Sequence, residues 1–359
     1  MAGEASGDLH GCHLMSAISQ RSNSIFFRGV GGPLMKGCGL QSVGDFNRLS
    51  VMGFFEVLKD LPFIVQTKHL LIKDIKKHAP QKIILIDYPG FNLSLAKAIK
   101  SLFNIPIVFY ISPQVWAWKE SRIKIINNYV DQMVVVFPFE VDWYSKKNMS
   151  VNYFGHPLVD IYKGPKKTVA NNKSLTIGLF PGSRPQEIEK HLPVLKDVVL
   201  NLKSRFQKIK FVLGVVDNSC SSLFQQLGLE KGECEAVVND SFSAFDKSDF
   251  AVVASGTATL ECAITKTPFI VIYKTSYINW VITSMYLKIG FVSIVNILAG
   301  KHLVVECLQK NCTSGFIIKH LMQLITTKQD DLVFQLDRLV RSLGEGRSYN
   351  KTAKFILNQ

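Results

Sequence analysis

The stretch SDFAVVASGTATLECA, residues 248–263, limits the possible folds of this chain more than any other. A short apolar run at 250–253, holding two valines, is bounded by Asp249 and by Ser255-Gly256. That is the pattern of a buried strand ending in a tight turn. Residues 257–263 then open a helix. A strand that turns through glycine into a helix N-terminus leaves backbone N–H groups and a partial positive charge facing outward, where an anion binds readily. Glu261 lies one turn beyond Thr257 on the same side, too far in for a capping box with Ser255. Two readings fit. Either a diphosphate sits at the turn with Glu261 on the hydroxyls of its sugar, or this is an ordinary strand–helix corner with an acid near the positive helix end.

A length of 359 residues favours two domains, each with its own core. The chain is apolar, with a mean hydropathy of +0.16, yet it shows no clear spanning segment. The best candidate, 270–300, is cut by Lys274 and Lys288 into pieces shorter than the roughly 20 apolar residues a bilayer requires. The opening Met1-Ala2-Gly3-Glu4 lacks the basic and apolar regions of a signal peptide. The seven cysteines are scattered without a CxxC pair, which argues for a reducing cytosol and against a disulfide framework or a zinc site. A net charge of +14 suits nucleic acid, anionic lipid or a phosphorylated substrate, and charge alone does not choose among them.

Along the chain, a small-residue loop at 1–8 leads into a helix at 9–20, with Ser6 or Asp8 as its cap. In a doubly wound domain such a loop follows the central strand, so the first strand is expected upstream of Ala2. Strands are expected at 24–30, 82–87, 105–110, 132–137 and 151–154. Asp87 falls at a strand's carboxyl end, where ligands of open parallel sheets bind and a general base would sit. Ser112, Gln114 and Trp116 lie in a tryptophan-rich loop that either stacks on a ligand ring or packs on its own domain. A lone His156 reads as structural. Phe54, Phe55, Leu58, Leu61, Phe63 and Ile64 precede Lys68, Lys73, Lys76 and Lys77. Apolar anchors beside a lysine cluster suit an interfacial membrane patch, the alternative being core helices with a basic end.

Residues 163–173 are polar, with Gly, Pro and several lysines, and read as a linker. They separate an N-terminal domain, 1–162, from a C-terminal one, 174–342; a final helical segment, 343–359, is expected to pack back on the first domain. Beyond the linker, strands are expected at 175–180, 210–215, 235–238, 250–253, 269–273 and 292–295. The first runs into Pro181-Gly182-Ser183-Arg184, a second Gly-Ser turn whose arginine either takes a phosphate in bidentate fashion or is a surface arginine at a turn. The fold class is therefore α/β: two Rossmann-like, doubly wound parallel-sheet domains presenting strand-end loops to one cleft. Two-domain dehydrogenases share that outline, but no GxGxxG follows a strand with an acid about 20 residues on.

Nine blocks in order then resemble one family: AGEASGD at 2–8, SVMGFFEVL at 50–58, IDYPGFN at 86–92, ISPQVWAW at 111–118, FPFE at 137–140, FGHP at 154–157, LFPGSR at 179–184, ASGTATLE at 254–261 and VNILAG at 295–300. The chain resembles the lipid-A-disaccharide synthases, inverting, metal-independent glycosyltransferases of the B-type fold. The resemblance implies UDP-2,3-diacylglucosamine as donor and 2,3-diacylglucosamine 1-phosphate (lipid X) as acceptor, with no cofactor. It implies a cytoplasmic protein peripheral to the inner membrane of Gram-negative bacteria, with no nucleic-acid partner and a homodimer left open. Asp87 matches the family's base. Gly182, Ser183, Arg184, Ser255, Gly256, Thr257, Glu261 and Asn296 are expected on the UDP-sugar, and Glu4, Ser6, Asp8, Ser112, Gln114 and Trp116 along the acceptor side. Rivals of the same outline are a peptidoglycan N-acetylglucosaminyltransferase and a UDP-sugar epimerase; a non-catalytic basic binding protein leaves Asp87 and the two phosphate turns unexplained.

Overall fold

The computed structural model describes residues 1–22, 24–50, 61–117, 119–164, 174–215, 220–230, 232–276, 280 and 290–358. The chain divides into two units, Met1–Asp160 with Leu343–Gln359, and Ile161–Ser342.

In the first unit β1 (Phe27–Gly29) pairs in parallel with β2 (Leu40–Ser42). Four more parallel strands lie side by side in chain order: β3 (Ile83–Ile86), β4 (Ile107–Tyr110), β5 (Gln132–Val135) and β6 (Asn152–Tyr153). Met1 and Ala2 join the two sets. Ala2 bridges Ile86 in parallel and its N–H donates to the Val30 carbonyl at 2.9 Å, while Ile86 N–H donates to the Met1 carbonyl at 2.9 Å. Residues 1–2 thus make the hydrogen bonds of the central strand that the sequence places ahead of Ala2. All four residues of β4 are buried, as expected of a parallel strand covered on both faces. Leu71 and Ile75 of the helix Leu61–His78, with Ala96 and Ile99 of Pro89–Leu102, share one core with Leu85, Ile107 and Phe109.

The helix Ala5–Ser19 starts earlier than its sequence suggests, with Glu4 rather than Ser6 or Asp8 at the N-cap. It packs on the C-terminal helix Ser348–Ile356, where His10 Nδ1 and the Tyr349 hydroxyl lie 2.8 Å apart. Ser348 donates to the Gly155 carbonyl at 2.8 Å, and Tyr349 N–H donates to the Asp160 carboxylate at 3.0 Å. Burial lowers the pKa of His10 to about 4 and that of His156 to about 3, so both are neutral at ordinary pH. Cys12 and Cys38 form a disulfide with their Cα atoms 5.7 Å apart, contrary to the expectation of free thiols. The two are 26 residues apart and meet only because neighbouring helices bring them together, which spacing does not reveal.

The second unit is one six-stranded parallel sheet: β7 (Leu175–Phe180), β8 (Ile209–Val215), β9 (Cys234–Val238), β10 (Phe250–Ala254), β11 (Phe269–Tyr273) and β12 (Val305–Leu308). The order is β12-β11-β10-β7-β8-β9. The chain starts at the centre, runs out to β9, returns to pair β10 with β7, and continues the other way. The switch point lies between β7 and β10. Of the run 292–295, expected as a strand, residues 294 and 295 instead begin the helix Ile294–Ala299. Ser293 caps it by accepting from Val295 N–H, and Gly300 closes it in the left-handed conformation. A short apolar run does not by itself distinguish strand from helix; the caps decide.

Candidate active site

In the first unit the switch point lies between residues 1–2 and β3, because β1 and β2 extend to one side and β4 to β6 to the other. The loops leaving those two positions carry Glu4 and Asp87. Asp87 follows β3 directly and is half-buried. Loss of solvent, together with the charge of Glu4, raises its pKa to about 7, against the pull of the Tyr88 N–H. Its backbone is unusual: Asp87 and Tyr88 have φ of 45° and 48°, both left-handed. Asp87 N–H donates to the Tyr110 carbonyl at 2.9 Å. Buried Asn92 donates from Nδ2 to the carbonyls of Asp87 at 2.7 Å and Ile86 at 3.2 Å.

Other expected acceptor-side residues turn inward. Asp8 is buried and accepts from the N–H groups of Leu34 and Met35, each at 3.0 Å, so it holds the start of the helix Pro33–Gly37. Ser112 meets the Tyr144 hydroxyl at 2.7 Å. Trp116 is buried and donates from Nε1 to Glu140 at 3.2 Å, edge-on to Phe139. Glu140 also accepts from Val136 and Phe137 N–H, and burial lifts its pKa to about 7. These contacts favour the packing reading of the tryptophan loop; Gln114 alone of its three candidates is exposed. Ser6 is half-buried on its helix.

In the second unit the two turns expected to hold phosphate leave the adjacent strands β7 and β10, so both reach the switch point. Gly182 has φ of 119°, a conformation suited to glycine, and a Cβ there would press on Glu187. Ser183 is exposed. Arg184 is the N-cap of the helix Pro185–Arg205; its exposed guanidinium pairs with Glu187 at 3.3 Å. Gly256, at φ of 157°, opens the helix Thr257–Thr265, and Thr257 is exposed beside it. By helix geometry the first amides there have no intrahelical acceptor. Ser255 donates to the Val292 carbonyl at 3.2 Å. Glu261 is half-buried, and burial raises its pKa against a hydrogen bond from Ser241.

Two residues here change role or come to light. Every polar atom of buried Asn296 is bound by the protein: Nδ2 donates to the Val304 carbonyl and Glu306, and Oδ1 accepts from Leu303 and Val304 N–H. Its side chain builds the loop, and is not left to meet a nucleotide. His191, which the sequence reading passes over, joins two strand ends of this sheet. Its Nδ1 lies 2.7 Å from the Pro181 carbonyl and its Nε2 accepts from Lys274 N–H at 2.9 Å, so the neutral ring links the turn after β7 to the end of β11. Only a histidine at helical spacing behind PGSR hinted at this.

Of the expected membrane patch, Phe54, Phe55 and Leu58 lie outside the described residues. Leu61 is exposed, whereas Phe63 and Ile64 pack on the core and Phe63 lies under the Arg48 guanidinium. Val65 and Leu70 extend the exposed apolar face. Among the described residues no helix is long and apolar enough to cross a membrane.

The sequence profile described as Lipid-A-disaccharide synthetase matches residues 1–357. Lipid-A-disaccharide synthase 1 of Legionella pneumophila (strain Lens) is 33% identical over 365 residues, 97% of this chain and 93% of that protein. Among solved structures, a UDP-GlcNAc 2-epimerase from Neisseria meningitidis, bound to UDP-GlcNAc, superposes with a TM-score of 0.63 at 13% identity, covering 98% of each chain. The calicheamicin glycosyltransferase superposes with a TM-score of 0.61 at 11% identity, over 98% of this chain and 94% of that one. At such identities the two structures speak to the fold alone, the B-type glycosyltransferase fold with its two Rossmann-like domains.

Proposed function

The chain belongs to the lipid-A-disaccharide synthase family, and on that premise we propose how its residues divide the transfer. The enzyme is a glycosyltransferase that joins 2,3-diacylglucosamine from its UDP derivative to 2,3-diacylglucosamine 1-phosphate, yielding the β(1→6) disaccharide 1-phosphate and UDP. The reading rests on one observation: Asp87 stands at the switch point of the first sheet with its pKa held at about 7. A base works best when its pKa lies near the working pH. Asp87 takes the proton of the acceptor 6-hydroxyl as that oxygen attacks the anomeric carbon, and one displacement inverts the configuration.

UDP leaves with the negative charge of its two phosphates. The helix start at Gly256-Thr257 and the Arg184 guanidinium, carried by adjacent strands, stabilise that charge, so the step needs no metal. Gly182 and Ser183 shape the turn that presents Arg184. Glu261 takes the ribose hydroxyls. Glu4 and Gln114 line the acceptor side. The exposed Leu61, Val65 and Leu70, beside Lys68 and Lys73, rest on anionic lipid at the cytoplasmic face of the inner membrane, which is where lipid X is drawn from.

The test is UDP release from the acylated donor with and without lipid X. Release that depends on lipid X is expected; release without it would point to hydrolysis of the donor. Asp87→Asn should cut turnover by about 10²–10⁴-fold with UDP affinity unchanged in calorimetry. Near-normal turnover would remove Asp87 from the base role.

A further inference from the structure

We propose that Asn92 is a positioning residue for the transfer, acting through the backbone of Asp87; this rests on Asp87 being the base. Asp87 and Tyr88 are the only consecutive non-glycine residues with left-handed φ among the described residues. Such a pair persists only where its surroundings enforce it. Three hydrogen bonds do so here. The Ile86–Asp87 peptide is held at both ends, its carbonyl by Asn92 Nδ2 at 3.2 Å and its N–H by the Tyr110 carbonyl at 2.9 Å. The Asp87–Tyr88 peptide is held through its carbonyl by the same Nδ2 at 2.7 Å. With the planes on either side of its Cα fixed, the direction of the Cα–Cβ bond is fixed too, and with it the aim of the carboxylate.

Asn92 is fully buried, and among the described residues its Oδ1 has no hydrogen-bond partner. An apolar residue of that size would avoid leaving a buried acceptor unpaired. The asparagine is therefore there for its two donors, both of which go to the carbonyls around the base. No other side chain of the helix Pro89–Leu102 donates to those carbonyls among the described hydrogen bonds.

The experiment compares Asn92→Ala, which removes both donors, and Asn92→Asp, which keeps the shape but has at most one proton to give, alone and in the Asp87→Asn background. Turnover, KM for the donor and UDP affinity are read for each. Both single variants should lose about ten- to a hundredfold in kcat, with KM for the donor and UDP affinity within about twofold of the parent. In the Asp87→Asn background neither should cause further loss, because a group acting through a missing base has nothing left to position. Parental kcat in both single variants, losses that multiply with that of Asp87→Asn, or an Asn92→Asp as active as the parent while Asn92→Ala is not, would each overturn the proposal. Loss of UDP affinity in every Asn92 variant would overturn it as well, since Asn92 would then serve the integrity of the fold and not the aim of the base. Parental kcat in the Asn92 variants beside an inactive Asp87→Asn refutes the role of Asn92 alone; an active Asp87→Asn refutes the base itself.

Discussion

A carboxylate's chemistry is set by what surrounds it, and three acids of the first unit show how differently. Asp8 accepts from two backbone amides and serves the fold. Glu140 accepts from Trp116 and two amides and holds a loop. Asp87 keeps a half-buried position beside Glu4, where loss of solvent holds its pKa at about 7. Because the ionised form is the base, kcat/KM should rise with pH through about 7. Glu4→Gln removes a negative charge that disfavours ionisation, so Asp87 should ionise at lower pH and the acid limb should move down. An acid limb that stays in place, or moves up, would show that Glu4 does not act on this group.

At the scale of elements, the helix Ile294–Ala299 and the loop after it depend on one amide. Asn296 and Glu306 bring Val292, Ser293, Leu303 and Val304 together, and that network holds the Val292 carbonyl to which Ser255 donates. Asn296→Ala leaves several buried groups unpaired and should destabilise the protein by about 3 kcal/mol, read by urea unfolding. Should stability hold while UDP affinity falls, the side chain would instead have a direct part in nucleotide binding. His191 acts similarly between Pro181 and Lys274, as a neutral bridge that protonation would break at its Lys274 side.

For the molecule as a whole, the net charge of +14 and the exposed face of Leu61, Val65 and Leu70 combine into one expectation. The protein should sediment with anionic vesicles more than with neutral ones, and less at high salt. Replacing those three residues with serine removes aliphatic groups worth about 0.8 kcal/mol per buried CH₂ and should weaken vesicle binding by more than about tenfold. Equal binding to neutral and anionic vesicles, or an unaffected triple variant, would argue against lipid docking at this face.

Much of this protein was legible in its residue order. Short apolar runs ending in turn residues mark the parallel strands, and the positions of Asp87, Arg184 and Gly256-Thr257 at strand ends follow from that pattern. Local pattern reports where a strand ends, because burial and turn chemistry act over a few residues. It does not report what a side chain meets. Only the tertiary structure showed that Asp8 reaches residues 34 and 35, that Trp116 reaches Glu140, that Cys12 meets Cys38 and that His191 spans two strand ends. Those partners lie tens of residues apart, and the strand order that brings them together is settled by packing across the sheet, a free-energy balance distributed over the entire core and written in no single segment.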